Sequence, residues 1–119
     1  KAIRTTDAVK ALAHITGGGF IENIPRVLPK ATVAEIDLDQ VPYTPVFKWL
    51  QDVGNVSERE MLRTFNCGIG MVVVVAAKDA KKVSASLKRS GETVVSLGTI
   101  RKRKGNEEQV AISGALSVA

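Results

Sequence analysis

His14-Ile15-Thr16-Gly17-Gly18-Gly19-Phe20-Ile21-Glu22-Asn23-Ile24-Pro25-Arg26 is an apolar, strand-like run that halts at three glycines and restarts as an amphipathic segment. Glycines lack Cβ atoms, so this turn can take φ > 0 and bring bare N–H groups close to an anion or a partner surface. Upstream, Val9 to Ile15 reads as a strand. Downstream, Phe20, Ile21, Ile24, Val27 and Leu28 share one helical face, and Pro25 and Pro29 keep that helix short. A second glycine knot, Phe65-Asn66-Cys67-Gly68-Ile69-Gly70-Met71, again borders an apolar run, and two such knots suggest one shared site.

Ala31 to Leu38 reads as a half-buried strand. Pro42-Tyr43-Thr44-Pro45 is a linker, after which Val46, Phe47, Trp49, Leu50 and Val53 have helical spacing and Gly54 supplies a stop. Ser57-Glu58-Arg59-Glu60 is a capping box that opens a helix ending near Thr64, with Met61 and Leu62 turned inward. Ile69 to Ala77 is continuously apolar and β-branched, the pattern of a central strand covered on both faces. Asp79 caps a helix that sets Ala80, Val83, Leu87 and Ser84 against the sheet, and Gly91 ends it. Thr93 to Ile100 reads as a strand, Lys104 to Glu107 as a hairpin turn, and Gln109 to Ile112 as the returning strand. The expected fold class is α+β (α/β layered), with a mixed β-sheet packed with helices in one domain spanning residues 1–119.

The chain is 45% hydrophobic and 24% charged, an ordinary globular mixture with no apolar run near the eighteen or so residues of a membrane helix. Lys1 to Asp7 has neither an initiator Met nor the apolar core of a signal peptide, so a piece of a larger, non-secreted chain is expected. One cysteine, Cys67, fits a reducing, cytoplasmic setting. The net charge of +5 favours anionic partners. Arg101-Lys102-Arg103-Lys104 has no interleaved aromatics and is followed by Glu107-Glu108, so it reads as a solvated turn and not as a nucleic-acid patch.

The amides of Gly17, Gly18 and Gly19 make a candidate cradle for phosphate or carboxylate, although the turn is neither a P-loop nor a Gly-x-Gly-x-x-Gly fingerprint. His14 is the sole histidine and hence the obvious group for acid–base work near neutral pH, set against a structural role. Thr16, Glu22 and Asn23 flank the turn, as ligand contacts or as caps. Arg26 and Arg63 can fork onto phosphate or bridge to surface carboxylates. Asn66, Gly68 and Gly70 present amides at the end of the apolar run, and Cys67 reads as a buried, inert thiol. His, Cys and carboxylates at metal spacing are missing, so no metal ligands are assigned.

Ala13 to Pro29, with Val46-Phe47-Lys48-Trp49-Leu50-Gln51, Gly54-Asn55-Val56 and Arg63-Thr64-Phe65-Asn66-Cys67-Gly68-Ile69-Gly70-Met71, closely resembles the aminoimidazole ribonucleotide synthetase family, also called phosphoribosylformylglycinamidine cyclo-ligases. The matches run in the family's order over most of residues 8–100. The resemblance implies the C-terminal domain of a two-domain purine-biosynthetic enzyme that closes the imidazole ring of formylglycinamidine ribonucleotide using ATP. It also implies that ATP and Mg2+ bind mainly through an N-terminal ATP-binding domain absent from these 119 residues, that the parent is a homodimer, and that the isolated piece is inactive. Ring closure in this family is thought to proceed by phosphorylation of the formyl oxygen, attack by an internal nitrogen and loss of phosphate.

On this resemblance the face bordering the inter-domain cleft comprises His14 as acid–base and Thr16, Gly17, Gly18, Gly19, Asn23, Arg63, Asn66 and Gly68 as contacts for a phosphoribosyl substrate. Related two-domain families are the formylglycinamidine ribonucleotide synthetases, selenophosphate synthetases, thiamine monophosphate kinases and hydrogenase-maturation factors. Their corresponding turn usually carries an Asp before the glycines, where this chain has His14 and Thr16. A non-catalytic anion-binding or dimerisation module is the alternative from another class.

Overall fold

A computed structural model describes residues 1–118; Ala119, the last residue of the expected domain, lies outside them. Five helices and five strands run in the order α1 (Ala2–Thr6), β1 (Val9–His14), α2 (Gly19–Asn23), β2 (Thr32–Asp37), α3 (Pro45–Gly54), α4 (Glu58–Thr64), β3 (Met71–Val75), α5 (Ala80–Arg89), β4 (Gly98–Lys102) and β5 (Val110–Ser113). Helices pack with a two-stranded antiparallel sheet, β1-β3, and with a three-stranded mixed sheet in the order β4-β2-β5. The α+β class with a mixed sheet is therefore observed.

Local chemistry accounts for most boundaries. Asn23 ends α2, and Pro25, which has no N–H to donate, opens a single 3-10 turn over Pro25–Val27. Pro45 occupies the first turn of α3, where a missing N–H costs nothing. Ser57 accepts the Glu60 N–H at 3.2 Å, which is half of the expected capping box; the Glu60 carboxylate instead lies 3.7 Å from Arg63. Gly54 is the last residue of α3, and Asn55 beyond it takes the left-handed conformation (φ 50°) expected of the glycine. Asp79 precedes α5 without a capping hydrogen bond and lies 3.8 Å from Lys82.

The core gathers Phe20, Ile24, Leu38, Met61 and Cys67, all fully buried, from α2 and the residue after it, the residue after β2, α4 and the second glycine knot. Burying one such side chain stabilises the fold by about 2 kcal/mol, so the short α2 is held by packing and not by its own propensity.

Four expectations are corrected. The run around β3 is not a central strand: among the described residues β3 pairs with β1 alone, and Met71 is half exposed. A run without alternation carries no signal of how many neighbours flank it. Only Gly98–Lys102 of the Thr93 region is strand. β4 and β5 do not form a hairpin, because β2 inserts between them, antiparallel to β4 and parallel to β5. The turn at Lys104 is shaped by Glu107, whose carboxylate accepts the Lys104 N–H at 2.6 Å and pairs with Arg101. In α5, Ala80 is exposed, and Ser86 joins Val83 in the buried set, where Ser84 was expected. On α3, Val46, Trp49 and Val53 form an exposed stripe while Phe47 and Leu50 are half-buried.

Candidate functional site

The two glycine knots meet. The Ile15 N–H donates to the Gly70 carbonyl at 2.9 Å, and His14 is opposite Met71 in the β1-β3 register. One turn further on, Gly19 (φ +57°) sits so close to the end of α4 that a Cβ would lie 1.7 Å from the Leu62 carbonyl oxygen and 2.9 Å from that of Phe65. The third glycine of the run thus lets α2 touch the backbone that leads into the second knot. Gly18 (φ +98°) turns the chain, and Gly17 faces open space.

Asn23 holds this turn from inside. It is 5% exposed, and its amide nitrogen donates to the carbonyls of Gly19 (2.9 Å), Thr16 (3.2 Å) and Gly17 (3.3 Å). Its Oδ1 accepts from Thr16 Oγ1 at 3.4 Å and from Arg26 Nη1 at 3.2 Å. These bonds occupy the polar atoms of Asn23, so its effect on any ligand passes through the turn that it shapes. With those carbonyls gathered inward and the Gly19 N–H donating to the Thr16 carbonyl at 2.9 Å, the N–H groups of Gly17 and Gly18 are left without a hydrogen-bond partner among the described residues. His14, Thr16 and Gly17 are exposed beside them.

The second knot is built differently. Asn66 Oδ1 accepts the Gly68 N–H at 2.9 Å, and the Asn66 carbonyl accepts the Ile69 N–H at 3.0 Å. Cys67 lies between them at φ 54°. A Cβ on Gly68 (φ +102°) would stand 2.8 Å from the Pro42 carbonyl oxygen. The Cys67 thiol is fully buried, donates to the Met61 carbonyl at 3.5 Å and is pushed up to about 11 by desolvation, so it is no nucleophile near neutral pH.

Arg63 lies elsewhere. It lines a recess of about 240 Å3 on the flank of α2, formed with Ile21, Pro25, Arg59, Arg103 and Glu108. From sequence, Arg59 reads as part of a capping box and Arg103 and Glu108 as part of a solvated turn, none of them as a site residue. The i, i+4 spacing of Arg59 and Arg63 on one helix was a usable signal, whereas the convergence of Arg103 depends on the crossing of the loop between β4 and β5. Among the described residues no group of three or more His, Cys, Asp or Glu side chains is placed to hold a metal ion. None of the described helices is long and apolar enough to cross a membrane.

Residues 1–111 match the model of the AIR synthase related protein, C-terminal domain. The chain belongs to that family. Over 105 residues it is 58% identical to a phosphoribosylformylglycinamidine cyclo-ligase of Neisseria gonorrhoeae (strain ATCC 700825 / FA 1090), an alignment covering 88% of this chain and 30% of that protein. The chain therefore spans under a third of the length of this curated relative. The domain also resembles the thiamine-monophosphate kinase from Stenotrophomonas maltophilia K279a, with a TM-score of 0.64 and 13% identity over 97% of this chain and 34% of that one. Identity this low carries the fold alone. Within the domain, both glycine knots, Thr16–Phe20 and Phe65–Gly70, meet at the Ile15–Gly70 hydrogen bond and the Gly19 contact with the end of α4.

Proposed function

We propose that this domain is the C-terminal part of an ATP-dependent, cytoplasmic, homodimeric cyclo-ligase that converts formylglycinamidine ribonucleotide to aminoimidazole ribonucleotide in purine biosynthesis. The observation that carries this reading is the junction of the two glycine turns, in a chain 58% identical to a cyclo-ligase. The wall of main chain at Gly17 and Gly18 offers N–H groups to a phosphorylated group, because preorganised amides stabilise anionic oxygen without reorganisation. Thr16, Gly19, Asn66 and Gly68 complete or support that wall, and Asn23 positions it. His14, exposed at the end of β1, passes a proton during ring closure. Arg63 supplies positive charge on the flank of α2.

ATP supplies the phosphoryl group that turns the formyl oxygen into a leaving group. Among the described residues no three or more His, Cys, Asp or Glu side chains are grouped to hold a metal ion, and we assign ATP and Mg2+ to an N-terminal domain of the same parent chain. The experiment is to express the full reading frame and assay ATP-dependent ring closure beside the 119-residue chain. Turnover is expected only from the longer protein, and His14→Ala there is expected to lower kcat by about a hundredfold or more, the usual scale of a general acid–base. Activity in the short chain alone, or full turnover in the variant, contradicts the assignment.

A further inference from the structure

The recess beside α2 is chemically unlike the glycine wall. Arg59 and Arg63, one helical turn apart on α4, line it together with Arg103 from the loop after β4 and with the apolar residues Ile21, Pro25 and Val110. Among the described residues, Glu108 is the only carboxylate in its lining. Three positive charges meet two negative ones, Glu108 in the lining and Glu60 beside Arg63, leaving a positive surplus suited to an anion.

The three guanidiniums are not equally occupied. Arg103 donates from Nε to the Glu107 carbonyl at 2.8 Å and from Nη1 to the Lys30 carbonyl at 3.2 Å, neutral acceptors that orient its charge without cancelling it. The loop carrying it is pinned by Gln109, whose Nε2 donates to the carbonyls of Pro29 (2.9 Å) and Thr32 (3.1 Å). Ordering that loop and that side chain is already done before any ligand arrives, which lowers the entropic cost of binding. Arg63 has only the exposed Glu60 at 3.7 Å, an i, i+3 pair worth little in water. Arg59 is held by Glu108 at 3.1 Å, so Glu108 competes with any anion for it.

We infer that this recess is a binding site for a small phosphate monoester, with Arg63, Arg103 and Arg59 on the phosphate and the apolar Ile21, Pro25 and Val110 against its carbon skeleton. Guanidinium forks match the oxygens of a tetrahedral dianion better than a lone ammonium does. A volume of about 240 Å3 admits a phosphate and a small sugar. The site does not rest on the glycine wall, although Arg63 belongs both to the recess and to the proposed function above.

The test is NMR titration of the 119-residue chain with ribose 5-phosphate, inorganic phosphate and, as a monoanion control, acetate. Saturable shifts of the Arg59, Arg63 and Arg103 side-chain N–H signals are expected with both phosphates and not with acetate, the sugar phosphate binding more tightly because of the apolar lining residues. If inorganic phosphate binds as tightly as the sugar phosphate, the monoester assignment fails. Arg59→Gln with Arg63→Gln is expected to weaken binding by about tenfold or more, the scale of losing charged hydrogen bonds. Arg63→Lys, which keeps the charge and the fold but not the fork, is expected to give a smaller loss. Glu108→Gln is expected to strengthen binding by about twofold to fivefold as Arg59 is released from its exposed pair. If phosphate instead shifts the Gly17 and Gly18 amides and ignores the arginine variants, the recess is refuted while the glycine wall stands. If no saturable shift occurs at millimolar phosphate, or if Glu108→Gln weakens binding in a chain with native amide dispersion, the inference is overturned.

Discussion

The two glycine turns have similar composition and abut one another, yet they are held by different means. The first, at Gly17–Gly19, is organised around a buried side chain: Asn23 collects three carbonyls, and the turn wraps around it. The second, at Asn66–Gly70, is organised by the exposed hydrogen bond in which the Asn66 side chain accepts the Gly68 N–H and by a buried non-glycine residue, Cys67, in the left-handed region. Glycine content is therefore a poor guide to which position needs glycine. Gly19 and Gly68 are required by the carbonyls that crowd them, and Gly17 is not crowded at all.

Substitutions can break this contrast, beginning with the most damaging. Gly19→Ala is expected to destabilise the domain by of order 4 kcal/mol or to prevent folding, because its methyl would lie 1.7 Å from the Leu62 carbonyl oxygen in a left-handed residue. Thermal denaturation followed by circular dichroism measures this, and a near-native melting temperature would show that α2 can slide off α4. Asn23→Ala leaves buried carbonyls without a donor and is expected to cost about 3 kcal/mol, read from urea midpoints. Gly68→Ala faces one carbonyl at 2.8 Å at φ +102° and is expected to cost about 2 kcal/mol. A loss equal to that of Gly19→Ala would erase the distinction between the turns.

A pH-dependent effect isolates the second turn. The Cys67 thiol titrates near 11 in the folded chain, against 9.0 for an ordinary thiol. The unfolded chain therefore releases this proton first, and the contribution of Cys67 to stability is intact below pH 9.0 and declines between pH 9.0 and about 11. Stability measured against pH should show that decline, and Cys67→Ala should remove this component of it. The smallest effect is expected at Gly17→Ala, within about 0.5 kcal/mol of the parent, since no atom lies within 4 Å of the added methyl. A larger loss there would mean that the exposed end of the first turn is also under constraint.

Much of the local structure was legible in the residues. Pro25 limits α2, Ser57 opens α4, the strand at Val9 begins where its pattern begins, β2 starts at Thr32, one residue inside the Ala31–Leu38 pattern, and α3 starts at Pro45, which reads as the end of a linker. The glycine turns were legible as turns, and each borders a strand, which suggested one shared site. The partners of β3, β4 and β5 were not legible. A β-branched run such as Met71–Val75 reads alike at the middle or the edge of a sheet, and sequence proximity of β4 and β5 suggested a hairpin that β2 in fact separates. The arginine recess was half legible: Arg63 stood out, while Arg103 comes from a loop whose path depends on that separation.

The amino-acid sequence by itself determined where this chain turns, which helices it can start and stop, and which family it joins, because caps, prolines and glycines act on the few residues around them. Tertiary structure alone decided that Gly19 is indispensable and Gly17 is free, that Asn23 works inside the turn, and that three arginines converge. Those outcomes depend on which distant backbone comes to lie a few ångströms away, and side-chain identity along the chain carries no record of that distance.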